Sequence, residues 1–314
     1  MKLSKYQFTI KPQKELILPP YKGSTLRGGF GTALKQTVCI EKRKECVQCV
    51  HRYKCIYSYV FETPIPREAK EGKRSKDEYV PHPFVIEPTL DKRQYYGIED
   101  ELDFHLILVG RAVDYIPYII FAFEELGRIG IGKDKGKYSL EKVISINNNR
   151  ELLIYDGNSH IQDDFYVMDS TELVRQAAQL NYQQVTFYFL TPTRIKNKGK
   201  LTIDIDFVII LRNLLRRLSR LAEVHCDEKW ELEWNELIEM ANDRVSTVSS
   251  ELKWYDWKRY SQRQGTKMKM GGFLGEITFE GELAEFMPFI KLGELLHMGK
   301  GTVYGLGKYE IKGE

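Results

Sequence analysis

"LLHMGKGTVYGLGKYEI", residues 295–311, packs four glycines into the nine positions 299–307, between a helical pattern and an alternating run. Glycine lets a main chain turn through positive φ or come close to a neighbour, and phosphate is a common neighbour of such loops. A tight turn alone would need one or two of the four. An earlier stretch has the same layout: "ELGRIGIGKDKGKYSLEKV", residues 125–143, also places a helix before a glycine cluster and a strand after it. Ahead of the first loop, Tyr115, Ile116, Ile119, Ile120, Phe123 and Leu126 recur at helical spacing. Ahead of the second, Phe286, Phe289, Ile290, Gly293 and Leu296 do so.

Working outward, the correspondence widens. A strand pattern precedes each helix, "LDFHLILVG" at 102–110 and "GGFLGEITFEG" at 271–281. Near the N-terminus "YQFTI" alternates Tyr6, Phe8 and Ile10, and the helix "GSTLRGGFGTALKQTV" follows with Ser24 as its expected N-cap. In the second half "QVTFYFL" alternates Val185, Phe187 and Phe189 before the helix "DFVIILRNLLRRLSRLAEV". Each half therefore reads strand, helix, strand, strand, helix, strand. The expected fold class is α+β, two tandem ferredoxin-like (RRM-like) βαββαβ domains. The expected boundaries are 1–150 for the first domain, 151–183 for a polar linker with a short helix at 170–179, and 184–314 for the second domain. The second strand of each unit is the weakest pattern: 57–62 or 77–86 in the first half, "SELKWYDWKRYS" in the second.

Composition sets limits. A chain of 314 residues that is 42% hydrophobic can build two real cores, and its net charge of +3 does not by itself imply nucleic acid. The basic residues are concentrated, however, in "REAKEGKRSK", "LRNLLRRLSR" and "WKRYSQRQGTKMK", and local patches are what bind phosphate. No apolar run is long enough to span a bilayer. The opening "MKLSKYQFTI" is too short and polar for a signal peptide, so a cytoplasmic protein is expected.

Three stretches then carry a family likeness: "LPPYKGSTLRGGFGTALKQTVC" at 18–39, "WYDWKRYSQRQGTKMKMGGFLGEITFEG" at 254–281 and "FMPFIKLGELLHMGKGTVYGLGKYEI" at 286–311. In this order, on tandem ferredoxin-like domains, they resemble the RAMP proteins of CRISPR systems, and more specifically the endoribonuclease that processes precursor CRISPR RNA. The resemblance implies a partner, the repeat RNA, and one cut per repeat without a metal. The 2′-hydroxyl beside the scissile phosphate would attack, leaving a 2′,3′-cyclic phosphate and a 5′-hydroxyl. It also implies possible partners among CRISPR effector subunits, as a monomer or homodimer. The runner-up is a non-catalytic RAMP subunit that holds CRISPR RNA. A zinc-clamped nucleic-acid-binding protein outside CRISPR biology is third.

Such a reaction needs a base, an acid and positive charge, and histidine suits the first two near neutral pH. Of six histidines, His105 reads as structural in mid-strand. His82 and His160 lie in unsuggestive places, and His225 ends a helix. His51 follows the first helix at the distance where the family often carries its acid or base, with Tyr53 and Lys54 close by. His297 closes the last helix at the mouth of the glycine loop and is expected to face the same RNA. The expected RNA contacts are Gly299, Lys300, Gly301, Gly305, Gly307 and Lys308 in the loop, Arg27 on the first helix, and Arg259, Tyr260, Arg263 and Lys267 on a basic, aromatic strand pair.

Cys39, Cys46, Cys49 and Cys55 fall within seventeen residues, and Cys226 stands apart. In an intracellular protein disulfides are disfavoured, and four thiolates suit tetrahedral zinc or an iron–sulfur cluster. The spacing leaves both open. A structural zinc clamping an insertion at 39–55 is the first expectation, iron–sulfur the second, and plain thiols the third.

Overall fold

The computed structural model describes residues 1–41, 45–64, 80–158, 160–261 and 266–314, with only the backbone at 258–261 and 266–269. The chain divides into two compact units, Met1–Met168 with Val224–Asp227, and Asp169–Glu223 with Glu228–Glu314. The segment expected as a linker carries ordered elements of its own, described below. Among the described residues no helix is long and apolar enough to cross a membrane.

The first unit runs β1 (Lys2–Pro12), α1 (Gly23–Val38), β2 (Phe84–Pro88), β3 (Leu102–Val109), α2 (Ile116–Ile129), β4 (Tyr138–Asn147) and β5 (Arg150–Tyr155). These five strands pair antiparallel, in the order β2-β3-β1-β4-β5. The first four strands give the ferredoxin-like arrangement, and β5 extends the edge beyond it. The second strand is 84–88. Of the two candidates, 57–62 is instead a π-helical turn, Ser58–Glu62.

The helices bury one face because their apolar residues recur every three to four positions. Six phenylalanines form the centre. Phe8 of β1 stacks on Phe104 of β3 at 5.2 Å, and Phe30 of α1 stacks on Phe123 of α2 at 4.9 Å. Phe61, from the π-helical turn, reaches Phe30 at 5.0 Å and Phe84 at 5.2 Å. Gly31 makes room for it, since a Cβ there would stand 2.9 Å from the Phe61 ring. Helix α1 begins one residue before Ser24. Its N-cap is Lys22 and makes no side-chain capping bond, so the expected serine cap is not formed. Lys22 is fully buried and its Nζ donates to Asp91 Oδ1 and the Asp91 carbonyl, each at 3.0 Å. That pair ties the start of α1 to the loop after β2.

The second unit contains α3 (Ser170–Ala177), β6 (Gln184–Thr193), α4 (Phe207–Cys226, whose last three residues count with the first unit), α5 (Trp234–Arg244), β7 (Val245–Ser250), β8 (Lys253–Tyr255), β9 (Lys258–Ser261), β10 (Thr266–Lys269), β11 (Gly272–Gly281), α6 (Met287–Leu296) and β12 (Tyr309–Gly313). Its sheet order, β7-β11-β6-β12, repeats that of the first unit. The second strand begins earlier than "SELKWYDWKRYS": β7 supplies it and β8 continues along β11. The basic stretch splits off as the separate hairpin β9–β10.

The internal repeat extends to single atoms. In the first unit Tyr138 opens β4 and its hydroxyl donates to the Phe123 carbonyl of α2 at 2.8 Å. In the second Tyr309 opens β12 and donates to the Ile290 carbonyl of α6 at 2.6 Å. Each tyrosine passes a helical glycine. A Cβ on Gly127 would lie 2.3 Å from the Tyr138 carbonyl, and one on Gly293 would lie 2.2 Å from the Tyr309 hydroxyl.

Candidate active site

In the first unit the chain leaving α1 turns back through a 3-10 turn at Cys46–Gln48 and then coils from 51 to 62. The His51 carbonyl accepts from the N–H groups of Lys54 and Cys55, both at 2.9 Å, and the Cys55 carbonyl from Tyr59 N–H at 2.9 Å. The coil is fixed to α1 by rings. Tyr57 stacks on Phe61 at 5.3 Å, the Lys35 ammonium sits 5.6 Å above Tyr57, and the Arg27 guanidinium sits 4.8 Å above Phe61. His51, Tyr53 and Lys54 thereby emerge exposed from one anchored turn. His51 and Lys54 line a cleft of about 680 Å³, whose opposite wall is the start of α2 with Tyr118 and Phe121. Those two aromatics were missed in the sequence. The available signal was that they are large apolar residues lying off the core-facing stripe of α2.

Cys39, Cys49 and Cys55 line the same cleft, but the metal expectation is corrected here. Among the described residues no group of three or more His, Cys, Asp or Glu side chains is arranged to hold a metal ion. None of the five cysteines is in a disulfide, and all are partly exposed. Among the described residues neither zinc nor an iron–sulfur cluster finds a ligand set, and the turns at 46–48 and 51–62 are held by backbone bonds and aromatic packing.

Of the remaining histidines, His225, His82 and His105 are structural in position, while His160 is exposed. His225 is buried, with Nε2 2.8 Å from the Pro81 carbonyl and Nδ1 2.9 Å from the Tyr59 hydroxyl. A neutral ring then donates from Nε2 and accepts at Nδ1. Burial pushes the Tyr59 phenol up, which keeps that hydroxyl a donor. His82 shares a hydrogen bond with Thr63 at 2.9 Å, and His105 lies 4.0 Å from the buried Glu87, which also pairs with Lys5 at 2.9 Å.

In the second unit His297 is 0% exposed, so the expectation that it faces RNA does not match its position. It ends α6 with φ 61°, where glycine is the usual residue. Its Nδ1 lies 3.2 Å from the Leu306 carbonyl across the glycine loop. The buried Arg217 donates to the carbonyls of Leu296 and His297 at 2.9–3.1 Å, satisfying the end of the helix.

The loop glycines all have positive φ. At Gly307 a Cβ would meet the Met298 carbonyl at 1.8 Å, so the close approach is to the protein's own backbone. Its amides are also turned inward: Gly299 N–H donates to Asn213 Oδ1 at 2.8 Å, Lys300 N–H to the Arg194 carbonyl at 2.9 Å and Lys308 N–H to Thr191 Oγ1 at 2.9 Å. Lys300 itself is exposed. On the basic hairpin, Arg259 pairs in register with Met268, and Tyr260 with Lys267. The side chains of Arg259, Tyr260 and Lys267 lie outside the described residues, as does Arg263 altogether.

Two ferredoxin-like units, the second ending in a glycine loop, define the class of protein. Residues 1–165 match the family described as AF_1859_N, N-terminal domain, and residues 187–309 match CRISPR-associated endoribonuclease Cas6. An uncharacterized protein of Archaeoglobus fulgidus is 24% identical, over 94% of this chain and 93% of its own length. Among solved structures, Thermus thermophilus Cas6 aligns with 99% of this chain and 98% of its own at 17% identity and TM-score 0.54. A partial Cas6-RT-Cas1–Cas2 complex aligns with all of this chain and 46% of its own at 11% identity and TM-score 0.58. The structural likeness concerns the fold. The chain belongs to the family defined by the AF_1859 N-terminal domain, and its second unit carries the match to the CRISPR-associated endoribonuclease Cas6.

Proposed function

We propose that this protein binds the repeat portion of precursor CRISPR RNA and cuts it once per repeat, with no metal in the reaction. The 2′-oxygen upstream of the cut attacks phosphorus, the bond to the 5′-oxygen breaks, and the products carry a 2′,3′-cyclic phosphate and a 5′-hydroxyl. His51 moves a proton at one of these oxygens, Tyr53 serves at the other, and Lys54 supplies positive charge to the phosphate. Arg27, Lys300, Lys308 and the basic hairpin with Arg259, Tyr260, Arg263 and Lys267 hold the RNA. His297 has no part in the chemistry and staples the glycine loop.

The observation that carries this reading is the exposure of His51 and Lys54 together on the wall of one cleft, on a turn packed to α1. The test is single-turnover cleavage of a repeat RNA in excess EDTA. Wild-type protein should cut, and a substrate with a 2′-deoxy nucleotide just upstream of the cut should bind and stay intact. His51→Ala should lose about a hundredfold or more in rate with binding nearly unchanged. Cutting of the deoxy substrate would rule out the 2′-hydroxyl as nucleophile, and binding without any cutting would return the protein to the guide-holding class.

A further inference from the structure

The cleft has a wall that the reaction above does not use. Tyr118 and Phe121 are 49% and 46% exposed on α2, one turn apart, and both project beside His51 and Lys54. Ile40, 81% exposed, lies along the same opening. Large apolar side chains left open to water cost free energy unless something covers them. Here they stand next to a cation and a candidate proton carrier, and the cleft volume lies within the range of small-ligand sites. Glu41 lines the opening as well, so its rim carries one carboxylate beside the Lys54 ammonium.

We propose that this cleft is a nucleobase pocket: an unpaired base within two nucleotides of the scissile phosphate inserts against Tyr118 and Phe121, and so sets that phosphate against His51 and Lys54. Flat aromatic faces take up splayed-out RNA bases without needing a particular sequence, and each stacked base contributes enough to be measured. The cation on the rim favours RNA over a second copy of this chain, because a protein interface would bury Lys54 without a phosphate to meet it. Tyr118 and Phe121 are then positioning residues, acting through the substrate's own geometry.

This rests on the RNA-cutting reading, so the experiment separates binding from chemistry. Repeat RNA with a 2′-deoxy nucleotide at the cut is labelled with 2-aminopurine at single positions around it, and fluorescence is followed on titration with full-length protein. One position within two nucleotides of the cut should change its emission on binding. That change should vanish in Tyr118→Ala/Phe121→Ala, while affinity falls about five- to a hundredfold. An abasic nucleotide at that position should cost wild type a similar factor and cost the double variant almost nothing further, the non-additivity of a shared contact. Equal abasic penalties in both proteins, or emission unaffected by the double variant, would overturn the pocket. So would a concentration-dependent dimer in light scattering that the double variant abolishes, since the patch would then be a protein interface. Because the readout is binding to an uncleavable RNA, a protein that never cuts would defeat the catalytic reading while leaving the pocket testable.

Discussion

At the level of single residues, His297 shows how position overrules residue type. As an imidazole beside a glycine loop it satisfies a chemical expectation; as a buried residue at φ 61° it stands where glycine would be at ease. A side chain held in the left-handed region costs roughly 1 kcal/mol, and the Leu306 and Arg217 contacts offset it. His297→Gly should therefore be less destabilising than His297→Ala, by about 1 kcal/mol in urea unfolding, because only the alanine keeps the strain after losing the ring. Both should cut at near wild-type rate per folded molecule. Alanine proving the more stable of the two would mean that the backbone stores no strain there. Cys46 permits a pH experiment. Burial raises its thiol, so at any pH near neutrality it holds less thiolate than an ordinary cysteine. Alkylation of Cys46 by iodoacetamide, followed by peptide mass spectrometry, should be slower than that of a cysteine in an unfolded peptide and should accelerate at a higher pH than that reference. Fast labelling near pH 7 would contradict the burial. What composition and spacing could reveal about the cysteines was only that four thiols lie close in sequence. Whether they share a centre depends on how the turns at 46–48 and 51–55 direct each side chain, and that is settled by packing on α1.

At the level of elements, α1 begins without a conventional cap and is anchored instead by Lys22 and Asp91. Partial burial works to raise the Asp91 carboxyl, but hydrogen bonds from Lys22 and Thr89 and the Lys22 charge outweigh it and hold the carboxyl below the usual range. A carboxyl depressed in this way contributes stability that is fully present above its unfolded pKa and disappears as pH falls through the folded value. Asp91→Asn should therefore cost about 2 kcal/mol at pH 7, less than a fully enclosed pair because Asp91 is half exposed. The variant should also show a flatter loss of stability below pH 4 than wild type. Equal acid limbs would remove Asp91 from the anchor. The elements themselves were largely readable. Alternation marked β1, β3, β6 and β11, and helical spacing marked α1, α2, α4 and α6. The second strands were not readable, because Phe84–Pro88 is buried along its whole length and so lacks alternation, while β7 is mostly exposed and lacks an apolar face.

At the level of the whole chain, the repeat that the sequence suggests is kept as one bond used twice, a tyrosine hydroxyl from the last strand to a carbonyl of the second helix. Tyr138→Phe and Tyr309→Phe should each destabilise by about 1 kcal/mol. The two bonds share no partner, so the double variant should equal the sum within roughly 0.5 kcal/mol. A large departure in thermal or urea unfolding would show that the two units do not keep separate accounts. The candidate site was half legible. His51, Tyr53 and Lys54 could be picked by residue type and distance from α1, whereas Tyr118 and Phe121 come from an element some seventy positions later, and only the fold brings them to the same opening.

The inward hydrogen bonding of the glycine loop bears on how this protein can change over generations. Gly299, Lys300, Gly307 and Lys308 direct their amides into the protein, so replacing a loop glycine alters folding before it alters any encounter with RNA. Selection for a different repeat would find those positions closed. Lys300 keeps its backbone bond to the Arg194 carbonyl whatever side chain it carries and is exposed at the turn, so drift toward new substrates should register there first while the glycines stay fixed.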